Sequence, residues 1–178
     1  SRLPPFTDEE KLILKGSADF FGLNMYTSDL AHPIWIPNFL ISAASDNGAF
    51  YTKDETWYKS GSFWLSVTPQ GIRKVLNWIR NEYNNPPVII TENGVSDNLG
   101  NLDDLSRIYY YKHYINNVLK AVKIDGCDVR GYVAWSLLDN FEWAFGYSKR
   151  FGLVYVDFDN LTRVPKLSWE EFRRYLKS

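Results

Sequence analysis

A single cysteine, Cys127, rules out a disulfide within the chain. The only histidines are His32 and His113, and no His/Cys cluster has metal-ligand spacing, so neither a metal nor another cofactor is expected. No apolar run approaches the length of a membrane span. Ser1-Arg2-Leu3-Pro4-Pro5 has none of the marks of a signal peptide, and the compartment, secreted or cytoplasmic, stays open. Neither sign of charge is in excess: 20 Lys and Arg against 21 Asp and Glu leave a formal net charge of −1. That balance offers no broad basic face for nucleic acid and no polybasic patch for anionic lipid. Internal repeats and low-complexity tracts are absent. Asn160-Leu161-Thr162 is a glycosylation sequon, a triplet that often arises by chance.

Aromatics, by contrast, are abundant: 17% of the 178 residues, with seven Trp and twelve Tyr. Flat apolar rings with polar tips suit carbohydrate, which presents hydroxyl edges and C–H faces, and they suit an aromatic-rich core equally well.

The pattern along the chain is strand, helix, strand, helix, strand, helix. Thr7 to Glu10 reads as a capping box opening a short helix through about Lys15. Phe20 to Thr27 is a compact apolar stretch, read as a buried strand. Thr27 to Ser62 shows no clear period, and a connection that long is usually a functional loop. Thr68-Pro69 starts a helix whose Ile72, Val75, Leu76 and Ile79 fall at helical spacing. Pro86-Pro87 stops it, and Val88-Ile89-Ile90-Thr91 is a β-branched strand ending at Glu92. Asp103 or Asp104 opens a second helix with Ile108, Ile115, Val118, Leu119 and Val122 on one face, ended by Gly126. Gly131 to Ser136 is the third strand, and Ser168 with Glu171 caps a last helix. Apolar strands alternating with helices imply a parallel α/β sheet. In α/β barrels the C-terminal strand ends carry the chemistry. Three strands cannot close a barrel, which takes about 250 residues, so a missing partner is expected, in the same chain or a separate one.

Each strand ends in polar and aromatic residues: Asn24-Met25-Tyr26, then Glu92-Asn93, then Trp135 to Trp143. A carboxylate at the end of a buried strand is desolvated and needs something to stabilise its charge; the duller alternative is a solvated loop Glu in an Asn-Gly turn. The segment Trp135-Ser136-Leu137-Leu138-Asp139-Asn140-Phe141-Glu142-Trp143 frames two carboxylates with two indoles. Such a turn offers a platform for a pyranose ring and charged acceptors for its hydroxyls.

Taken together these motifs resemble glycoside hydrolase family 1, the β-glucosidase/β-galactosidase family of (β/α)8 barrels. Asn24-Met25-Tyr26-Thr27 is similar to its sixth-strand motif, Thr91-Glu92-Asn93-Gly94 to its seventh, and Trp135 to Trp143 to its eighth. Gly146 to Asp157 matches the segment that follows, and the likeness extends over almost the whole chain. The resemblance implies that residues 1–178 are the C-terminal segment of one barrel domain, with strands one to five absent. It implies a retaining β-glycosidase acting on a small-molecule β-glycoside, with Glu92 as nucleophile. Tyr26 would orient that carboxylate and keep it ionised, with Asn24 beside it. Glu142 would accept from O4 and O6, Trp143 would donate to O3, and Trp135 would lie under the ring. Phe151 matches an aromatic near O6, and Trp64 a Trp that stacks on the leaving group. Met25 and Phe63 depart from the family pattern, which places an aromatic or His at the first and a small residue at the second. Ser66 and Thr68 read as structural.

A retaining mechanism needs a second carboxyl group as acid/base. The family's Asn-Glu-Pro motif does not occur here; Asn81-Glu82-Tyr83 falls inside a helix, and Asp139 and Glu142 belong to the eighth-strand loop. The isolated chain is therefore expected to be inactive and poorly folded. A carboxylate facing O6 would repel a 6-phosphate, so a neutral glycoside is expected. The alternatives are a catalytically inactive sugar- or protein-binding relative on the same fold, or a thioglucosidase.

Overall fold

The computed structural model describes residues 4–34 and 46–177. They belong to two compact units, one drawn from Ser1–Asp19 and Asp29–Thr56, the other from Phe20–Ser28 and Trp57–Ser178. Residues 1–3, 35–45 and 178, which include part of the expected long loop, lie outside the described residues. Along the chain run α1 (Asp8–Leu14), β1 (Phe21–Asn24), β2 (Leu30–Pro33), β3 (Ala49–Thr52), β4 (Tyr58–Lys59), β5 (Ser66–Val67) and α2 (Pro69–Glu82). Then come β6 (Val88–Asn93), α3 (Leu105–Lys123), β7 (Val129–Ala134), a 3-10 turn (Trp143–Phe145), β8 (Val154–Val156), β9 (Arg163–Pro165) and α4 (Leu167–Tyr175).

In the first unit the capping box forms as expected. The Thr7 hydroxyl accepts from the Glu10 N–H at 3.2 Å, and the Glu10 carboxylate accepts from the Thr7 N–H at 2.8 Å. Within the connection that showed no period, β2 and β3 pair antiparallel, Leu30 opposite Thr52. Four-residue strands are too short for their alternation to stand out in a sequence.

The second unit is built on a parallel sheet in the order β1-β6-β7, with Leu23 opposite Ile90 and Ile90 opposite Tyr132. The helices α2, α3 and α4 alternate with these strands as the sequence implied. Pro69 sits at the start of α2, and Ile72, Leu76 and Ile79 turn into the core against Leu23, Val88 and Ile90. Both outer strands have one unpaired edge among the described residues. The expectation of a strand buried throughout is corrected at β1: Leu23 is buried, whereas Gly22 and Asn24 on the alternate face are exposed. Val133 of β7 is likewise 51% exposed. Within this unit, among the described residues, one face of the sheet is covered by helices and the other is not, hence the alternation.

Two helix expectations also change. The core stripe of α3 is Arg107, Tyr110, Tyr111, Tyr114, Val118 and Ala121, while Leu119 is 52% exposed. Tyrosine hides its apolar ring and still carries a hydroxyl to a partner, so the buried face reads as polar in sequence. At α4 the cap is not a Ser168–Glu171 box, because Ser168 lies inside the helix. Its N–H and hydroxyl donate to the Asp104 carboxylate at 2.8 and 2.6 Å, so the carboxylate that satisfies this helix start comes from the head of α3.

Candidate active site

The tops of the three strands are pinned by buried side chains. Asn93, at the end of β6, donates through its amide to the Met25 carbonyl at 2.5 Å and to the Tyr110 hydroxyl at 2.9 Å. Its side-chain carbonyl accepts from the Tyr132 hydroxyl at 2.5 Å. Tyr110 and Tyr114 both donate to the Tyr26 carbonyl, at 2.9 and 2.8 Å, and Tyr111 donates to that of Trp135 at 3.2 Å. These bonds satisfy carbonyls that leave the sheet ladder and hold the backbone under three candidate residues. Glycine is needed at 94 because a Cβ would collide with the Trp135 carbonyl oxygen. The Asn-Gly pair is therefore a close approach between strand ends and not a solvated turn. Ser66 and Thr68 are buried on the same frame, the Thr68 N–H donating to Tyr114 at 3.0 Å.

On this base, Tyr26, Trp64, Glu92, Trp135, Glu142, Trp143 and Phe151 line one cavity of about 340 Å³. The Tyr26 hydroxyl donates to Glu92 Oε2 at 2.6 Å. The Trp64 and Phe151 rings stand edge-on to the Tyr26 ring, with centroids 5.7 and 6.2 Å away. Burial, then the hydrogen bond to Glu92 and the charges of Glu92 and Glu142, push the Tyr26 phenol far above its ordinary value, so it remains a protonated donor.

Glu142 is 9% exposed, and its Oε2 has no donor within reach among the described residues. Burial raises its pKa; a hydrogen bond from the Trp135 side chain lowers it in part, and the charge of Glu92 raises it further. An unpaired buried carboxylate oxygen costs desolvation energy that a ligand hydroxyl would repay. Trp143 is 80% exposed at φ +44°, a left-handed conformation uncommon outside glycine, of the kind that clusters at functional sites.

The eighth candidate is placed differently. Asn24 pairs in register with Glu92, but its side chain accepts from the Thr91 hydroxyl at 2.6 Å and does not line the cavity. The register of β1 on β6 shifts between Leu23 and Asn24, and the Asn24 side chain meets Thr91 instead of Glu92. Asp139 is fully engaged: it accepts from Gly152 N–H, Lys166 Nζ and Arg150 Nη1 at 2.9, 3.0 and 2.9 Å, and from Val156 N–H at 3.3 Å. That saturation removes it as a proton donor to a substrate. Phe145 also lines the cavity and was missed; it lies two residues beyond the Trp135 to Trp143 segment that the sequence singled out. The arrangement as a whole offers one carboxylate held by a phenol, a second with an open acceptor, and aromatic walls, a lining suited to a polyhydroxylated ring.

The model of glycosyl hydrolase family 1 matches residues 1–177. This chain belongs to that family. It is 50% identical over 171 residues to human lactase/phlorizin hydrolase, covering 94% of this chain and 9% of that protein. It is 43% identical to rice β-glucosidase 6 over 192 residues, 99% of this chain and 37% of the relative. Among solved structures, a rice β-glucosidase mutant in a covalent complex with Glc superimposes with a TM-score of 0.92 at 42% identity, over 97% of this chain and 39% of that one. An aphid myrosinase gives 0.88 at 43%, over 99% and 38%. The chain thus spans well under half the length of these relatives, and β1, β6 and β7 are the C-terminal part of a (β/α)8 barrel.

Proposed function

We propose that this chain supplies the nucleophile half of the active site of a retaining β-glycosidase acting on neutral β-D-glycosides. In this reading Glu92 attacks C1 of the bound sugar, the C1–O bond to the leaving group breaks, and a glycosyl-enzyme forms and is then hydrolysed. Tyr26 orients the attacking carboxylate. Glu142 accepts sugar hydroxyls, with Trp135 and Trp143 around the ring and Phe151 and Trp64 backing Tyr26. The observation that carries the reading is the 2.6 Å bond between Tyr26 and Glu92 inside a cavity that also holds the open Oε2 of Glu142. Asn24 acts through Thr91 on the neighbouring strand, as a positioning residue.

The acid/base has no candidate in this chain, since Asp139 is saturated and Glu142 faces the sugar. It would come from strands one to five, which complete the barrel from the same polypeptide or another. The unpaired edges of β1 and β7 support that completion, and the chain alone should not turn over substrate. The likeness to an aphid myrosinase keeps a thioglucosidase as the second reading; the residue at the acid position distinguishes the two. The test is a full-length barrel, with strands one to five preceding this chain, treated with a 2-deoxy-2-fluoro-β-glucoside. Peptide mapping should find the sugar on Glu92, and E92Q should take up none. A label on any other residue overturns the reading.

A further inference from the structure

Arg107 is a charged side chain of α3 that is only 1% exposed and does not line the cavity. Its guanidinium nevertheless reaches both loops that carry the site. In the loop leaving Glu92, the Val95 carbonyl accepts from Nε at 3.3 Å and the Asp97 carboxylate from Nη2 at 2.5 Å. In the segment that follows Glu142, the Arg150 carbonyl accepts from the same Nη2 at 2.9 Å, next to Phe151 in the cavity wall. Nη1 donates to Asp104 at the head of α3. The two loops also meet backbone to backbone here. The Asp97 N–H donates to the Arg150 carbonyl at 3.0 Å, and the Arg150 N–H to the Asp97 carbonyl at 2.9 Å. Past that bridge the chain returns to the end of β7: the Ser136 N–H donates to the Phe151 carbonyl at 3.1 Å, and the Leu153 N–H to the Ser136 carbonyl at 2.8 Å. The segment from Trp135 to Phe151, with Glu142 inside it, is thus closed at its base and fastened through Arg150 to the chain leaving Glu92. A cation that only neutralised Asp97 and Asp104 would have no use for carbonyls from two different loops. A planar guanidinium with fixed donor directions can hold these acceptors together, whereas a lysine ammonium is a point charge on a flexible stem.

We propose that Arg107 is a positioning residue that sets the spacing between Glu92 and Glu142, so that one sugar meets both carboxylates at once. This rests on the glycosidase reading of the site and deepens it. Glu92 must reach C1 while Glu142 accepts a hydroxyl of the same ring, and a misplacement of about 1 Å can cost about 100-fold in rate. The test compares 4-nitrophenyl β-glucoside with its 6-deoxy analogue in the full-length barrel. The two share a leaving group and a reacting carbon, so the ratio of their kcat/KM values isolates the hydroxyl side. That ratio is independent of the fraction of protein folded, which is what a merely structural role would change. The starting protein should favour the glucoside about 10- to 100-fold, the worth of a hydrogen bond to a charged group. In R107K the ratio should fall about tenfold, through loss on the glucoside. A fall of less than about threefold, with or without a general loss of activity, overturns the proposal. Should R107K fail to fold, D97N keeps the guanidinium, removes its charged partner in the loop after Glu92, and carries the comparison with the same two outcomes. Failure of the underlying reading is distinct: no fluorosugar on Glu92, no hydrolysis of either substrate, or no preference between them in the starting protein.

Discussion

Replacing Asp139 by Asn tests the charged frame that holds the eighth-strand loop between Trp135 and Glu142. The Asp139 side chain is fully buried between Lys166, also fully buried, and Arg150, 16% exposed. Asparagine keeps the shape but removes the negative charge. Whichever way its amide turns, an N–H faces either Lys166 and Gly152 or Arg150 and Val156. Breaking a buried pair from one side costs about 3–5 kcal/mol, because the remaining charges are left uncompensated. The pH dependence follows from Lys166. Burial, with the nearby charge of Arg107, already lowers its pKa from the ordinary 10.5, against the pull of Asp139 and Asp97. For a lysine depressed in the folded state, the unfolded chain binds more protons between the two values, so stability rises with pH across that window. Loss of Asp139 deepens the depression. The deficit of D139N should therefore be full while Lys166 is protonated in both folded proteins and shrink as the pH rises from its folded-state pKa in the variant to that in the parent, both below 10.5. Urea unfolding midpoints of the full-length barrel at several pH values measure this. A loss below about 1 kcal/mol, or one independent of pH, would refute the assignment of this cluster as a mutually compensating frame.

Y26F removes the donor to Glu92 and leaves the ring packed between Trp64 and Phe151. A hydrogen bond to a charged group is worth about 1.5–3 kcal/mol, so kcat/KM on an aryl β-glucoside should fall about 10- to 100-fold; a change under about threefold would detach the bond from catalysis. E142Q separates binding from stability. Because the Glu142 pKa is raised in the folded state, its charged form carries a penalty that sets in as pH rises from the unfolded value toward the folded one and persists above both. The amide should therefore leave the melting temperature at pH 7 unchanged or higher while KM rises about tenfold, and a lowered melting temperature would contradict this. G94A drives a methyl group into the Trp135 carbonyl. It should cost about 1–3 kcal/mol or more in unfolding free energy and quench or shift tryptophan fluorescence, and a silent substitution would mean that the strand ends separate freely.

The strand–helix alternation was legible because each element carries its own marks: Pro69 at a helix start, the β-branched run before Glu92, the Pro86-Pro87 stop. The polar strand ends were legible too, and seven of the eight residues they suggested line one cavity, all but Asn24. What was hidden depends on partners far along the chain. Leu119 and Tyr114 lie on one helix, and hydropathy alone favours burying the leucine; Tyr114 is buried because the Tyr26 carbonyl, 88 residues away, accepts its hydroxyl. Ser168 looked like a cap because nothing local reveals that Asp104 satisfies it. Asn24 shares the Tyr26 motif, but a register shift between Leu23 and Asn24 sends its side chain to Thr91.

The same long-range bonds explain how a segment with an uncovered sheet face can carry a formed carboxylate site. Glu92, Tyr26 and Trp135 are fixed from the side of α3, through Asn93 and the tyrosines at 110, 111 and 114, all of which are essentially inaccessible to solvent. None of those bonds calls on the bare face or on either open edge. The Glu92 side of the pocket is thus determined within this chain, since buried hydrogen bonds that are fully satisfied fix geometry more firmly than exposed ones. In the proposed mechanism, strands that complete a barrel would meet a carboxylate already positioned and bring the acid to a working separation of about 5–5.5 Å.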